Sequence, residues 1–507
     1  MGKVNKLPCR TLCFHHRLTI DKILPLKAKY VLKELSNLRY SFPKSFKIGA
    51  TGAGWQMEGE SDKLPHQKHY PHLMWENDKE RWFGTVGPDV GCDLYHRYRE
   101  DIPLFAQAGI KQYRFNIDWS RFIDDYEAVT VNEQAAAYYS DVIDCLIENG
   151  IDPVLCLEHW ELPAYYYEKY DGYASRHVVD KYVQYAAEAF KRYGDRVKMW
   201  FTFNEPVVIP QLCFQDGFWW PNEHNPKRAY QWMHGKVMAT ARVIKLFREM
   251  KMEGEIGTIL NSAHVIPRDA NNPADVQAAD IARAFYWGNF LDPAMKGCYP
   301  QTYLDILEKE GLMFDFTEED KQLLRENTVD ILGVNYYQPM RVMAKESAWD
   351  ESQPFHPGKY FDSYDMPGKR MNPFRGWEIY PKCLYDIGMV LKNEYGNVKW
   401  LVSESGMGVQ NEDTYRDESG VIQDDYRIDF ISEHLAWLSK AVHDGCNCHG
   451  YWLFASIDNC SPYNAFKNRY GLVEVDINDG FKRRLKKSAA FYKAASDTNS
   501  FEFKEIE

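Results

Sequence analysis

Two glutamates in this chain end runs that read as buried strands. Glu205 closes Thr202-Phe203-Asn204-Glu205-Pro206, and Glu404 closes Leu401-Val402-Ser403-Glu404 ahead of Ser405-Gly406. A carboxyl group where an apolar strand meets a loop is either a solvated loop charge or an acid, base or nucleophile held in a cleft. Two such groups converging on one sugar-sized gap can cleave a glycosidic bond. One protonates the leaving oxygen and the other attacks the anomeric carbon, the two standing about 5–5.5 Å apart when configuration is retained. Gln56, His159, Asn204 and Asn335 also stand at the ends of strand-like runs, where polar side chains are unusual for a core.

The glutamates are far apart in sequence, so the fold must bring them together. One unit shows how. From Val178 to Phe190 apolar residues fall at 178, 179, 182, 183, 186, 187 and 190, a helical stripe, and Gly194 follows as a stop. Val197 to Phe203 is then short, apolar and aromatic, as a buried parallel strand should be. Because residues before proline avoid the helical region, Glu205 is expected to be extended. Similar strand candidates are Phe46–Gly54, Gln112–Asp118, Asp152–Glu158, Glu255–Pro267, Asp330–Tyr337, Val398–Gly406 and Gly450–Asn459. With the strand ending at Glu205 they make eight, separated by helical stretches. That pattern predicts an α/β protein, a single-domain (β/α)8 TIM barrel with inserted loops and functional residues at its C-terminal face. A doubly wound sheet is the competing fold, but no GxGxxG turn follows the first strand.

The expected division is an N-terminal extension over residues 1–40, containing a short helix near Val31–Leu38, a barrel over 41–495 and a tail over 496–507. The chain has 507 residues and a formal net charge of −12, which argues against a nucleic-acid surface. Aromatic residues reach 15%, a supply that suits either a large core or a surface for flat sugar faces. Eleven cysteines are scattered without a CxxC pair, so a reducing compartment and free thiols are expected. The groups Cys9, Cys13, His15, His16 and Cys446, Cys448, His449 repeat no zinc-ligand spacing. No signal peptide and no membrane span are read from the sequence, so a cytoplasmic protein is expected.

Several motifs carry a resemblance. Phe42-Pro43-Lys44-Ser45-Phe46, Gln56-Met57-Glu58-Gly59, Tyr113 to Arg121, Glu158-His159-Trp160-Glu161-Leu162-Pro163, Thr202 to Pro206, Asn335-Tyr336-Tyr337 and Trp377 to Pro381 occur in that order. Together they resemble glycoside hydrolase family 1, the β-glucosidase and 6-phospho-β-glycosidase family, from about Ser41 to Tyr492. The resemblance implies a retaining β-glycosidase acting on a small β-glycoside, with Glu205 as acid/base and Glu404 as nucleophile. It also implies that Gln56, His159, Trp160, Asn204 and Asn335 bind the sugar, that Arg114 and Tyr337 flank Glu404, and that Trp377 lines the leaving-group side. No metal or organic cofactor is implied.

Three positions depart from the family pattern. Ser405 stands where Asn usually follows the nucleophile, and Phe454 stands where Trp usually contacts the sugar. In the loop Asp458 to Gly471, Ser461-Pro462 replaces the Glu-Trp of plain β-glucosidases. That glutamate binds the 4- and 6-hydroxyls and would repel a 6-phosphate. Phospho-glycosidases surround the phosphate with Ser, Lys and Tyr. Ser461 and Tyr470 match two of these, while Asn468 occupies the lysine position and Lys467 lies one residue earlier. The expected substrates are therefore 6-phospho-β-glucosides, with plain β-glucosides or β-galactosides as the alternative. A non-catalytic sugar-binding protein on the same fold and a transglycosylase are the other readings open at this point.

Overall fold

The computed structural model describes residues 37–262 and 264–506. Eight parallel strands close into a barrel, β1 (Lys47–Thr51), β2 (Gln112–Asn116), β3 (Asp152–Glu158), β4 (Met199–Asn204), β5 (Glu255–Asn261), β6 (Ile331–Asn335), β7 (Trp400–Ser405) and β8 (Cys448–Phe454). The expected (β/α)8 architecture is the one observed. β8 closes on β1 in a continuous register from Gly450 opposite Lys47 to Phe454 opposite Thr51.

At least one helix follows each strand, among them α1 (Leu94–Gln107), α2 (Glu133–Glu148), α3 (Arg176–Tyr193), α4 (Pro226–Glu249), α5 (Asn289–Lys296), α6 (Cys383–Glu394), α7 (Asp425–His443) and α8 (Lys487–Thr498). The stripe read at 178–190 is the buried face of α3, where Val178, Val179, Tyr182, Ala186 and Phe190 meet the barrel. Asparagines start two of the helices: Asn132 accepts from Ala135 N and Asn225 from Arg228 N.

The barrel interior is apolar: Val154, Cys156, Phe201, Ile259, Ile331, Leu401 and Trp452 pack together. Room for the Trp452 indole comes from Gly49, where an added Cβ would lie 2.4 Å from Gln112 O and 2.5 Å from Trp452 Cδ1. The aromatic supply serves both uses weighed from the sequence. Trp119, Trp200, Trp232, Trp287 and Trp400 are core, whereas Trp160, Trp219 and Trp377 line a cavity at the barrel mouth.

Two expectations need correction. The run Glu255–Pro267 is not one strand. Barrel pairing of β5 stops at Asn261 opposite Asn335, and Val265–Pro267 pairs instead with Met340–Ala344, which also pairs with Phe361–Ser363. Glu205 is not extended: its φ is +48°, although its N–H still bonds to Ile259 O at 2.9 Å. The chain turns in the left-handed region at the last rung of the ladder, a conformation a non-glycine residue holds only where its surroundings enforce it.

Leu38–Ser41 pairs antiparallel with Ser500–Phe503, so the end of the expected extension and the expected tail form one ribbon. The short helix near Val31–Leu38 falls almost entirely outside the described residues, as do Cys9, Cys13, His15 and His16. Among the described residues no helix is long and apolar enough to cross a membrane.

Candidate active site

The barrel register brings the strand-end residues to one mouth. Asn335 lies opposite both Asn261 and Glu404, and Asn204 opposite Ile259. Register shifts occur at Val334/Asn335, between Val402 and Ser405, and between Phe201 and Asn204, at the strand ends that carry both glutamates. Such irregularities re-aim side chains at barrel rims. Above them opens a cavity of about 920 Å³ lined by Gln56, His159, Trp160, Glu205, Asn335, Tyr337, Trp377, Glu404, Ser461 and Tyr470, among others.

Glu404 is buried and held on both oxygens. Arg114 donates to Oε1, and Tyr337 donates to Oε2 at 2.8 Å. Both partners offer donors, which an ionised carboxylate accepts fully. Arg114 also donates to His159 Nδ1 at 2.9 Å. The other ring nitrogen, Nε2, lies 3.1 Å from the Asn204 side-chain Nδ2. Burial, then the charges of Arg114 and Lys236, keep this imidazole well below the usual histidine range, so it is neutral.

Glu205 occupies the opposite electrostatic setting. Burial pushes its carboxyl up to about 8, and the negative charge of Glu404 adds to that push. A hydrogen bond from Asn335 Nδ2 (2.9 Å) and the charge of Arg114 oppose it. Asn335 is itself fixed, donating to Asn204 Oδ1 at 3.0 Å and accepting from Ser403 Oγ at 2.7 Å. A carboxyl that burial keeps protonated, beside a second carboxyl on the same cavity, suits general acid catalysis beside a nucleophile.

Glu161 ties the first and third loops together. Its Oε1 accepts from Trp55 N at 3.1 Å and its Oε2 from His159 N at 2.8 Å. Asn116 Oδ1 accepts from Gly54 N at 2.6 Å, which orients the short helical turn bearing Gln56. Gln56 Oε1 and the Trp160 indole N–H are buried without a protein partner beside the cavity.

Lys467 is the sequence-selected residue that the structure leaves out. Its side chain is exposed, with the ammonium 5.6 Å from the Phe83 ring centroid, away from the cavity lining. The loop turns at Phe466 and Asn468, which are buried, and so points residue 467 outward. Ser461 and Tyr470 do line the cavity, and Phe454 packs between Tyr337 and Tyr470 at 6.2 and 5.3 Å. Ser405 is buried beside Tyr451.

Cavity residues that the sequence reading missed include Asn261, Ser262, Trp219, Tyr463 and Arg375. Arg375 had a local signal, a cation two residues before Trp377. The others come from loops whose approach to the mouth is set by tertiary packing. Among the described residues, no group of three or more His, Cys, Asp or Glu is placed to hold a metal ion.

The glycosyl hydrolase family 1 model matches residues 38–501. The chain belongs to this family. Family 1 relatives match along nearly their whole length. The 6-phospho-β-glucosidase GmuD of Bacillus subtilis is 44% identical, covering 91% of this chain and 99% of that protein. β-Glucosidase A of Acetivibrio thermocellus is 31% identical over 91% of this chain and 100% of its own length. The family 1 β-glucosidase from Thermotoga maritima superimposes with a TM-score of 0.83 at 28% identity, covering 92% of this chain and 99% of that structure. The chain is a glycoside hydrolase of the retaining β-glycosidase type that characterises family 1, and the non-catalytic alternative has no support.

Proposed function

We propose that this enzyme hydrolyses 6-phospho-β-glucosides, with Glu205 as the acid/base and Glu404 as the nucleophile. In the first step Glu404 attacks the anomeric carbon while Glu205 gives its proton to the leaving oxygen. A glycosyl ester forms on Glu404 and the alcohol departs. In the second step Glu205, now a carboxylate, takes a proton from water as that water attacks the same carbon and releases Glu404. Gln56, His159, Trp160, Asn204 and Asn335 hydrogen-bond the sugar hydroxyls or hold the groups that do. Neither step uses a metal or organic cofactor. A doubly charged sugar phosphate is retained by a cell membrane, so the fitting location is the cytoplasm.

The observation that carries the substrate choice is the cavity wall after β8. Ser461, Pro462, Tyr463, Asn464 and Tyr470 bear no carboxylate, and among the described residues Glu205 and Glu404 are the only acids on the lining. A 6-phosphate meets no fixed negative charge on that wall. The similarity to a 6-phospho-β-glucosidase at 44% identity supports the same reading. The test is kcat/KM for an aryl β-glucoside and its 6-phosphate measured side by side. The phosphorylated compound is expected to be preferred by at least tenfold, and preference for the plain glucoside overturns the proposal.

A further inference from the structure

We propose that Arg375 is the cation that reads the 6-phosphate, and that it, not Lys467, sets the preference for phosphorylated glucosides. This inference rests on the substrate class just proposed. A phosphate site without a cation is weak, because the strong bonds to phosphate oxygens are those from charged donors. Two arginines line the cavity, Arg81 and Arg375, and Lys467 lies on the loop that walls it; their partners separate the three. Arg81 is engaged elsewhere: it pairs with Asp78 at 2.9 Å and donates to Phe218 O at 2.7 Å. Lys467 is exposed on Phe83. Arg375 lines the cavity, and no carboxylate among the described residues forms an ion pair with it. Its Nε is buried without a hydrogen-bond partner.

The geometry around Arg375 is built rather than loose. Met371–Asn372 and Trp377–Glu378 form a two-stranded hairpin with Arg375 in its tip. Glu378 anchors the hairpin base to Arg341 through contacts of 2.8 and 2.9 Å. Asn372 Nδ2 donates to Gly408 O at 3.0 Å, and Gln410 Nε2 donates to Phe374 O at 3.1 Å, tying the tip to the loop after β7. The guanidinium lies 4.2 Å from the Trp377 ring centroid, a stacking arginine favours. It also faces the hydroxyl of Tyr470, where its charge offsets part of the upward push that burial gives the phenol. Ser461 Oγ, on the same cavity, is buried without a partner. A guanidinium fork, a phenol and a serine hydroxyl thus line the same cavity, and Arg375 Nε and Ser461 Oγ have capacity to spare. That set matches a tetrahedral dianion.

The competing explanation is that Arg375 only braces the hairpin by stacking on Trp377. Kinetics on two substrates separate the two. We compare wild type, Arg375→Met, Arg375→Lys and Lys467→Met on an aryl β-glucoside and its 6-phosphate, with inorganic phosphate as a competitive inhibitor. Arg375→Met is expected to lower the ratio of kcat/KM for phosphorylated over plain substrate at least tenfold, mainly through KM, and to weaken inhibition by phosphate. Arg375→Lys should recover part of the ratio, and Lys467→Met should leave it within twofold of wild type. Equal losses on both substrates in Arg375→Met identify a brace and overturn the inference. So does loss of the ratio in Lys467→Met with retention in Arg375→Met, while leaving the substrate reading intact. A wild type with no preference for the phosphate removes the substrate reading itself, whatever the variants do.

Discussion

Glu205 carries a proton through the neutral range because burial raises its carboxyl to about 8 and Glu404 reinforces the shift. The proposed acid role then fixes the sign of the pH dependence. kcat/KM should fall as pH rises through about 8, because the group that protonates the leaving oxygen is being emptied. Linkage gives a second consequence. Between its ordinary value of 4.5 and about 8 the folded protein holds a proton that the unfolded chain has released, so stability declines as pH rises across that window. Glu205→Gln removes the titration and should raise Tm relative to wild type more at pH 8.5 than at pH 5. Glu404→Gln should abolish turnover, since an amide is a poor nucleophile, and should lower the Glu205 pKa by removing a neighbouring charge. Infrared titration of carboxyl groups reads the second effect. An unmoved Glu205 would show that burial alone sets its proton affinity.

The elements were legible because each strand announces itself twice, as a short apolar run and as a polar residue ending it. β3 (Asp152–Glu158) matches its expected span fully, and the other barrel strands fall inside theirs except β8, which begins at Cys448, two residues before the expected Gly450. What was not legible lies where the same apolar signal continues past the barrel. Val265-Ile266-Pro267 extends the β5 pattern, and no local feature tells that it leaves the barrel to pair with Met340–Ala344. The left-handed turn at Glu205 was hidden by its proline neighbour, which constrains one helical region and says nothing of the other. In the candidate site the strand-end residues were readable from motif order. Lys467 was misjudged because one residue of loop direction decides inside from outside, and sequence spacing does not carry that direction. Gly49 tests the element picture. A Cβ there overlaps the Gln112 carbonyl and the Trp452 ring, both held by barrel closure. Gly49→Val should cost about 1–3 kcal/mol by overpacking and lower Tm by about 1–3 °C, in denaturation monitored by tryptophan fluorescence. An unchanged Tm would mean that β1 and β8 can separate more freely than a closed barrel allows.

At the scale of the whole molecule, the cavity wall depends on a buried ionic lattice behind it. Arg427 on α7 pairs with Glu412 and, at 2.9 Å, with Asp424. Lys486, just before α8, joins Glu412 and, at 2.8 Å, Asp458 in the loop after β8. All five side chains are buried, so each charge depends on its partners for what water would otherwise supply. Arg427 also donates to Met407 O at 2.7 Å and to Tyr470 O at 3.1 Å, which couples the last two barrel loops to each other. Replacing a buried ion by an apolar side chain strands the partners left behind. Arg427→Met should therefore destabilise the protein by about 3–5 kcal/mol in denaturant titrations. Because Tyr470 hangs from the same guanidinium, the folded fraction of that variant should also show a higher KM for the phosphorylated substrate with a smaller change in kcat. A variant as stable as wild type would place the support of this wall in the packing of Phe454, Tyr337 and Tyr470 instead of in the charges behind it.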